Sequence, residues 1–304
     1  MRPNFRTALL ALAAAAMSVA ACGTKGGSKA GQTAEEEGQA VLFPFLRINV
    51  DTTMAIVSIR DNATEKRMPN KLFYGEADSA EVEQLSPQGS SPASVSCFIV
   101  ETRGRRALFD TGNGKENGGA LLERMAAMGI SPDSIDYIFI THLHADHTGG
   151  LTDGGKPVFG RAQLYVPAAE YAYWAARKDR GGKTVAAVDA YGDRVCRFAY
   201  SDSLPLGVKA MPAPGHTPGH TVYQAGRVLI MGDLFHALRL QIQDMKLCAA
   251  YDMDRAKAIG SREKFVAYAR ANGLMTAGMH FFDTGIVDYK VDDNPKADMP
   301  QEQP

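Results

Sequence analysis

The stretch THLHADHTGG, Thr141 to Gly150, holds three histidines and an aspartate within six positions, in a chain that has only seven histidines. It follows the apolar run YIFI (Tyr137 to Ile140), whose β-branched and aromatic residues predict a strand. In an extended backbone, residues two apart project to the same side. His142 and His144 are therefore expected to aim their imidazoles at one point. Asp146 repeats the spacing, and His147 follows as the chain turns; the two glycines of TGG then relax the backbone. Neutral imidazole and carboxylate are ordinary zinc ligands. Burying four such groups side by side without a metal or a dense hydrogen-bond network would be costly. The stretch reads as part of a metal site.

Working outward, the remaining histidines, His216, His220, His236 and His280, also fall at strand ends or in the loops that follow. SVSCFIVET (Ser94 to Thr102), the turn RGRR and the run ALFD predict a hairpin. GGALLERMAAMGI has helical spacing and stops at Gly129, and Ser131 caps the turn after it. AQLYV predicts a strand, and PAAEYAYWAARK a helix with Pro167 at its first position. GVKAMPAPG, HTVYQAG and RVLIMGD predict three more strands. DRAKAIGSREKFVAYARANG predicts a helix closed by Gly273, and LMTAGMH a last strand. Interleaved strands and helices place the chain in the α/β or α+β class, with helices covering sheets.

The 304 residues carry 33 basic and 34 acidic side chains, so no charge excess points to nucleic acid. There is no GxSxG elbow, P-loop or GxGxxG fingerprint, which removes the usual serine nucleophile and nucleotide cofactors. At the start, Arg2 and Arg6 precede ALLALAAAAM (Ala8 to Met17) and then SVAAC, the order of a secretory signal. The apolar run is short of the about 20 residues that span a membrane. Val19 to Cys22 resembles a bacterial lipoprotein box. That resemblance implies cleavage before Cys22, lipid on its thiol, and a protein exported and anchored to the cell envelope, with Gly23 favouring the outer membrane. The chain then divides into a signal peptide (1–21), a flexible polar tether (22–40), a catalytic domain (41–291) and a polar tail (292–304). Cys97, Cys196 and Cys248 are expected as buried thiols, with a bridge from Cys196 to either of the others left open.

THLHADHTGG resembles the signature of the metallo-β-lactamase superfamily. LFDTG (Leu108 to Gly112), PAPGHTPGHT, LIMGD and TAGMH match its other segments, in order. The resemblance implies an α+β fold, a four-layer αβ/βα sandwich with metals at one sheet edge. It implies that His142, His144 and His216 hold one divalent ion and Asp146, His147 and His280 a second, with Asp233 bridging both. Zinc is the expected metal, two ions per chain. Asp146 and Asp233 are the expected catalytic carboxylates, and a metal-bridging hydroxide the nucleophile. The segments after Asp233 look most like the methyl parathion hydrolase and acyl-homoserine lactonase branch, although His236 stands where many lactonases have tyrosine. The implied activity is hydrolysis of an ester, lactone or phosphotriester-like small molecule. An iron-dependent sulfur dioxygenase and a glyoxalase II-like thioester hydrolase are the alternatives. Contact with membrane is expected only through lipid on Cys22. Oligomeric state stays open, a homodimer included.

Around this set, Asp110 is expected to orient a ligand, His220 to be a hydrogen-bonded loop residue and Trp174 to be helix packing. His236 reads equally as a pocket residue or as a partner to a ligand. Leu234, Phe235, Phe281 and Phe282 flank the last two ligands and are expected to make the metal mouth apolar. No Lys/Arg cluster sits near the motifs, so a neutral substrate is expected over an anionic glutathione thioester.

Overall fold

The structure, a computed structural model, describes residues 44–74 and 79–289. The expected signal peptide, Cys22, the tether and the tail from Asp292 lie outside the described residues. Seven strands form one sheet, in the order Phe45–Asn49, Met54–Arg60, Ser96–Thr102, Arg105–Phe109, Tyr137–Phe139, Gln163–Pro167 and Val195–Phe198. The first four are antiparallel neighbours, and the last four run parallel. Five strands form a second sheet, in the order Lys209–Pro212, Thr221–Ala225, Val228–Gly232, Met275–Gly278 and Ile286–Asp288.

Alternation along the strands explains the layers. In Ser96–Thr102, Phe98 and Val100 point to a core shared with Tyr223, Ile230 and Ala277 of the second sheet. Cys97 and Ile99 point the other way, to a core with Leu121, Met125, Trp174 and Val188 from the helices Leu121–Ala127, Ala168–Ala175 and Lys178–Asp189. In Val228–Gly232, Ile230 faces the first sheet, while Leu229 and Met231 pack on Phe265, Val266 and Ala269 of the helix Arg255–Ala271. The central strands are thus apolar on both faces, as their near-continuous hydrophobic runs require. Two sheets lie face to face with helices on both outer surfaces, the expected four-layer αβ/βα arrangement.

The hairpin, the capping role of Ser131 and the closing glycines stand as expected. Ser131 Oγ accepts from the Asp133 amide, and Gly129 and Gly273 both have positive φ. Pro167 falls one position earlier than expected, as the cap of the helix rather than its first residue. The helix Lys178–Asp189 is absent from the sequence reading because it contains Gly181 and Gly182. Gly181 is there for space: a Cβ would lie 2.4 Å from the Trp174 carbonyl oxygen of the neighbouring helix. Among the three described cysteines all thiols are free, and Cys196 is exposed rather than buried.

Candidate metal centre

The strands Arg105–Phe109, Tyr137–Phe139, Val228–Gly232 and Met275–Gly278 end on one side, and the chemistry follows them: Asp110, His142–His147, Asp233 and His280. Loops beyond the carboxyl ends of parallel strands are where α/β sheets build sites. His216 comes from the loop between Lys209–Pro212 and Thr221–Ala225.

His144 is extended (φ −73°, ψ 158°), so His142 and His144 share a side as expected, with His142 Nε2 and His144 Nδ1 3.0 Å apart. His216 Nε2 lies 3.2 Å from the first and 2.9 Å from the second. Asp233 Oδ2 lies 3.7 Å from His142 Nε2 and 3.4 Å from His216 Nε2. Donors held at roughly 2.0–2.1 Å around a tetrahedral ion are about 3.3 Å from one another. Three facing nitrogen lone pairs need a cation between them. A proton does not serve, because burial holds all three imidazoles neutral: the pKa falls to about 4 for His144, to about 3 for His216, and well below the usual value for His142. The donor set fits a metal ion.

Asp146 does not continue the extended spacing. The chain enters the short helix Ala145–Thr148 after His144, which turns Asp146 and His147 toward a second cluster with His280. His280 Nε2 is 3.5 Å from Asp146 Oδ2 and 3.1 Å from Asp233 Oδ2; His147 Nε2 is 3.7 Å from Asp146 Oδ1 and 3.2 Å from Asp233 Oδ1. The Asp233 carboxylate therefore faces both clusters. His147 Nε2 and Asp233 Oδ1 are buried without a hydrogen-bond partner among the described residues. Buried polar atoms are rarely left so, and a second cation among these oxygens and nitrogens accounts for both.

Behind the clusters, other groups fix the rings. His147 Nδ1 bonds to Asp110 Oδ2 at 2.6 Å, His280 Nδ1 to the Ser94 carbonyl at 2.7 Å, and His216 Nδ1 to Asp252 Oδ1 at 3.1 Å. His142 Nδ1 donates to Thr141 Oγ1, which donates in turn to Asp110 Oδ2. Each of these bonds puts the proton on Nδ1 and leaves the Nε2 lone pair facing the cluster. Asp110 orients a ligand, as expected. Ser94, Asp252 and Glu170 are missing from the sequence reading. The Glu170 carboxylate is buried and accepts from the Leu143 amide, Trp174 Nε1, Thr217 Oγ1 and the Gly219 amide, tying the two histidine loops together. Trp174 is thus more than helix packing, and its ring lies edge-on to His144 at 5.5 Å. Asp252 also pairs with the buried Arg262 at 3.3 Å.

Asp252→Asn is expected to weaken metal binding about 10- to 100-fold, the usual effect of removing a carboxylate behind a histidine ligand. Chelator competition on the purified protein checks this. An unchanged affinity would show that the His216–Asp252 bond does not tune the site.

His220 is not aimed at either cluster. Its Nδ1 donates to the Ala213 carbonyl and its Nε2 accepts from the Asp233 amide at 2.9 Å, the hydrogen-bonded loop role expected of it. The glycines of TGG serve close approach more than freedom: a Cβ on Gly149 or Gly150 would lie 2.1 Å from the Asn113 or Thr111 carbonyl oxygen. His236 is buried beside Asp233, with Nε2 3.4 Å from Oδ2, and its ring stacks on His280 at 5.4 Å.

The expected apolar mouth is not there. Leu234, Phe235 and Phe281 are buried in the core between the second sheet and its helix, and Phe282 lies under the Arg239 guanidinium. The chain turns at His280, where the Phe281 amide donates to the Gly278 carbonyl and the Phe281 ring takes the space a Cβ on Gly278 would fill. The cavity over the clusters, of about 370 Å³, is walled instead by Lys66, Met68, Ala145, His236 and Tyr251.

Residues 91–277 match the metallo-beta-lactamase superfamily. The chain belongs to that superfamily. It is 32% identical over 133 residues to a hydroxyacylglutathione hydrolase of Dechloromonas aromatica, covering 43% of this chain and 41% of the relative. It is 27% identical over 154 residues to an atrochrysone carboxyl ACP thioesterase of Passalora fulva, covering 47% and 40%. These matches thus span about two fifths of either relative's length. An N-acyl homoserine lactonase of Bacillus thuringiensis is 27% identical over 199 residues, 57% of this chain and 76% of the relative. Among solved structures, the dizinc quorum-quenching lactonase AidC superposes with a TM-score of 0.72 at 22% identity, covering 80% of this chain and 92% of that one. The hydrolase AbOPH superposes with a TM-score of 0.71 at 24% identity, covering 82% and 94%. These likenesses show the metallo-β-lactamase fold, and the hydrolase class expected from the histidine motif is the class of these relatives.

Proposed function

We propose that this metallo-β-lactamase superfamily chain is a dinuclear metal-dependent hydrolase of a small acyl substrate, an ester or lactone, with zinc the expected metal. The observation that carries this is the convergence of His142, His144, His216, Asp146, His147, His280 and Asp233 into two donor sets that share one carboxylate. Two divalent ions, when bound, would supply a water acidic enough to attack near neutral pH and a Lewis acid for the acyl oxygen. The chain's own part is to hold its donors pre-aimed through Asp110, Asp252, Ser94 and Thr141. Asp146, whose side chain is 29% exposed against 2% for Asp233, is the carboxylate of the set that opens to the cavity. It is placed to hold the proton released on attack and pass it to the leaving oxygen. Thioester hydrolysis is the second reading, favoured by the hydroxyacylglutathione hydrolase and thioesterase relatives.

The test is a panel of lactones, aryl esters, thioesters and phosphotriesters on metal-loaded protein. Turnover of an ester or lactone, lost on chelation and regained with metal, is expected. Oxygen consumption with a persulfide by iron-loaded protein, with no hydrolysis of any member, would replace this reading by the dioxygenase.

The proposal places the domain outside the cytoplasm, tethered through lipid on Cys22; its support is the order of residues 1–22 alone. Cys22→Ser is expected to move the protein from the membrane fraction to the soluble fraction or to leave the signal uncleaved, since stable anchoring takes more than one acyl chain. Identical fractionation of the two proteins would argue for a plain secreted enzyme.

A further inference from the structure

Two side chains in the cavity wall make no hydrogen bond through their polar ends among the described residues. Lys66 begins the strand Lys66–Pro69, which pairs antiparallel with Ser90–Ala93. Side chains two apart share a side, so Lys66 and Met68 both line the cavity while Arg67 turns away. Arg67 is fixed there by Ser90 Oγ and the Ser90 carbonyl, both at 2.8 Å, and by Glu65 at 3.2 Å. Lys66, half-buried, makes no ion pair among the described residues. His236 is the second. It is 1% exposed, and neither buried ring nitrogen makes a hydrogen bond among the described residues, with Asp233 Oδ2 3.4 Å from Nε2. Its backbone is held in place, because Gln241 Oε1 accepts from the His236 and Ala237 amides while Gln241 Nε2 donates to the Leu247 carbonyl.

An ammonium facing a small cavity and a buried imidazole that makes no hydrogen bond, although Asp233 Oδ2 stands 3.4 Å from its Nε2, can both donate to the same thing, an oxygen-rich anionic group entering the cavity. A buried donor left unmade is costly, and a charge-assisted bond to a carboxylate is among the stronger single interactions available. We propose that Lys66 and His236 form a carboxylate-binding wall, so that the preferred substrate is an acyl compound carrying a carboxylate near its scissile bond. This rests on the hydrolase reading for the bond that is cut, but not for the binding itself. It reverses the neutral, apolar substrate expected from the residues next to the ligands.

The test compares two esters of matched length on metal-loaded full-length protein, mono-4-nitrophenyl glutarate and 4-nitrophenyl pentanoate. Wild type is expected to favour the glutarate in kcat/KM. Lys66→Met should lower that preference roughly 10- to 100-fold, the worth of one charge-assisted bond, and Lys66→Arg should restore part of it. His236→Phe should lower the same ratio with metal content unchanged; loss of metal in this variant would overturn the role given to His236. The same glutarate-to-pentanoate ratio in wild type and Lys66→Met would overturn the proposal while leaving the hydrolase standing. If neither ester is cleaved, binding decides, and the hydrolase reading is left to the wider panel. Glutarate binding can be followed by fluorescence of Trp174, the one tryptophan, which touches His144. A dissociation constant at least about tenfold weaker in Lys66→Met supports the wall, and an equal one overturns it.

Discussion

Asp233→Ala is expected to strip metal from both clusters at once and to abolish turnover. Its carboxylate lies near both, 3.4 Å from His216 Nε2 through Oδ2 and 3.2 Å from His147 Nε2 through Oδ1. Burial opposes its charge, and the cations it would sit between would favour the ionised form. Without it, two cations would sit among neutral imidazoles with Asp146 alone to balance them. The lost charge stabilisation amounts to several kcal/mol, and each 1.4 kcal/mol is about tenfold, so kcat/KM should fall by roughly 10³-fold or more. Elemental analysis and turnover on the same sample check this. Asp233→Asn, which keeps the shape, separates the effect of charge from that of packing. Retention of a full complement of metal in both variants would remove Asp233 from the shared position.

His216→Ala and His220→Ala are expected to fail in different ways, although the two histidines stand four apart in one motif. His216→Ala removes a nitrogen from the first cluster and should cost metal and turnover together. His220→Ala removes the acceptor of the Asp233 amide and leaves that buried N–H unpaired, a cost of about 1–3 kcal/mol. It should lower the melting temperature by several degrees yet keep its metal at saturating concentration and at least part of its activity. Equal loss of metal in both would mean that His220 acts as a ligand.

The difference between these two histidines also marks what the sequence discloses. His142, His144, Asp146 and His147 were legible because polar groups at a strand end in HxHxDH spacing have few uses other than a metal, and His216, Asp233 and His280 followed from the order of the family segments. Strands with helices covering them were legible from apolar runs such as FIV in Ser96–Thr102 and LIM in Val228–Gly232, whereas the four layers followed from the family resemblance. What stands behind the donors was not. Asp252 reaches His216 across 36 positions, and Glu170 bridges residues 27 to 49 positions away, so no local period announces either. The cavity wall was misread for a related reason. Phe281 follows His280 directly, but the turn there sends its ring into the core over Gly278. Lys66, the residue that sets the character of the mouth, comes from a hairpin far upstream that carries no motif.

The central claim is two metal ions sharing Asp233. The most direct measurement is diffraction from crystals of metal-loaded protein on either side of the metal's absorption edge. The account predicts two anomalous peaks, one among His142, His144 and His216 and one among Asp146, His147 and His280, with the Asp233 carboxylate between them. A single peak, or none, in protein that still turns over its substrate would contradict it.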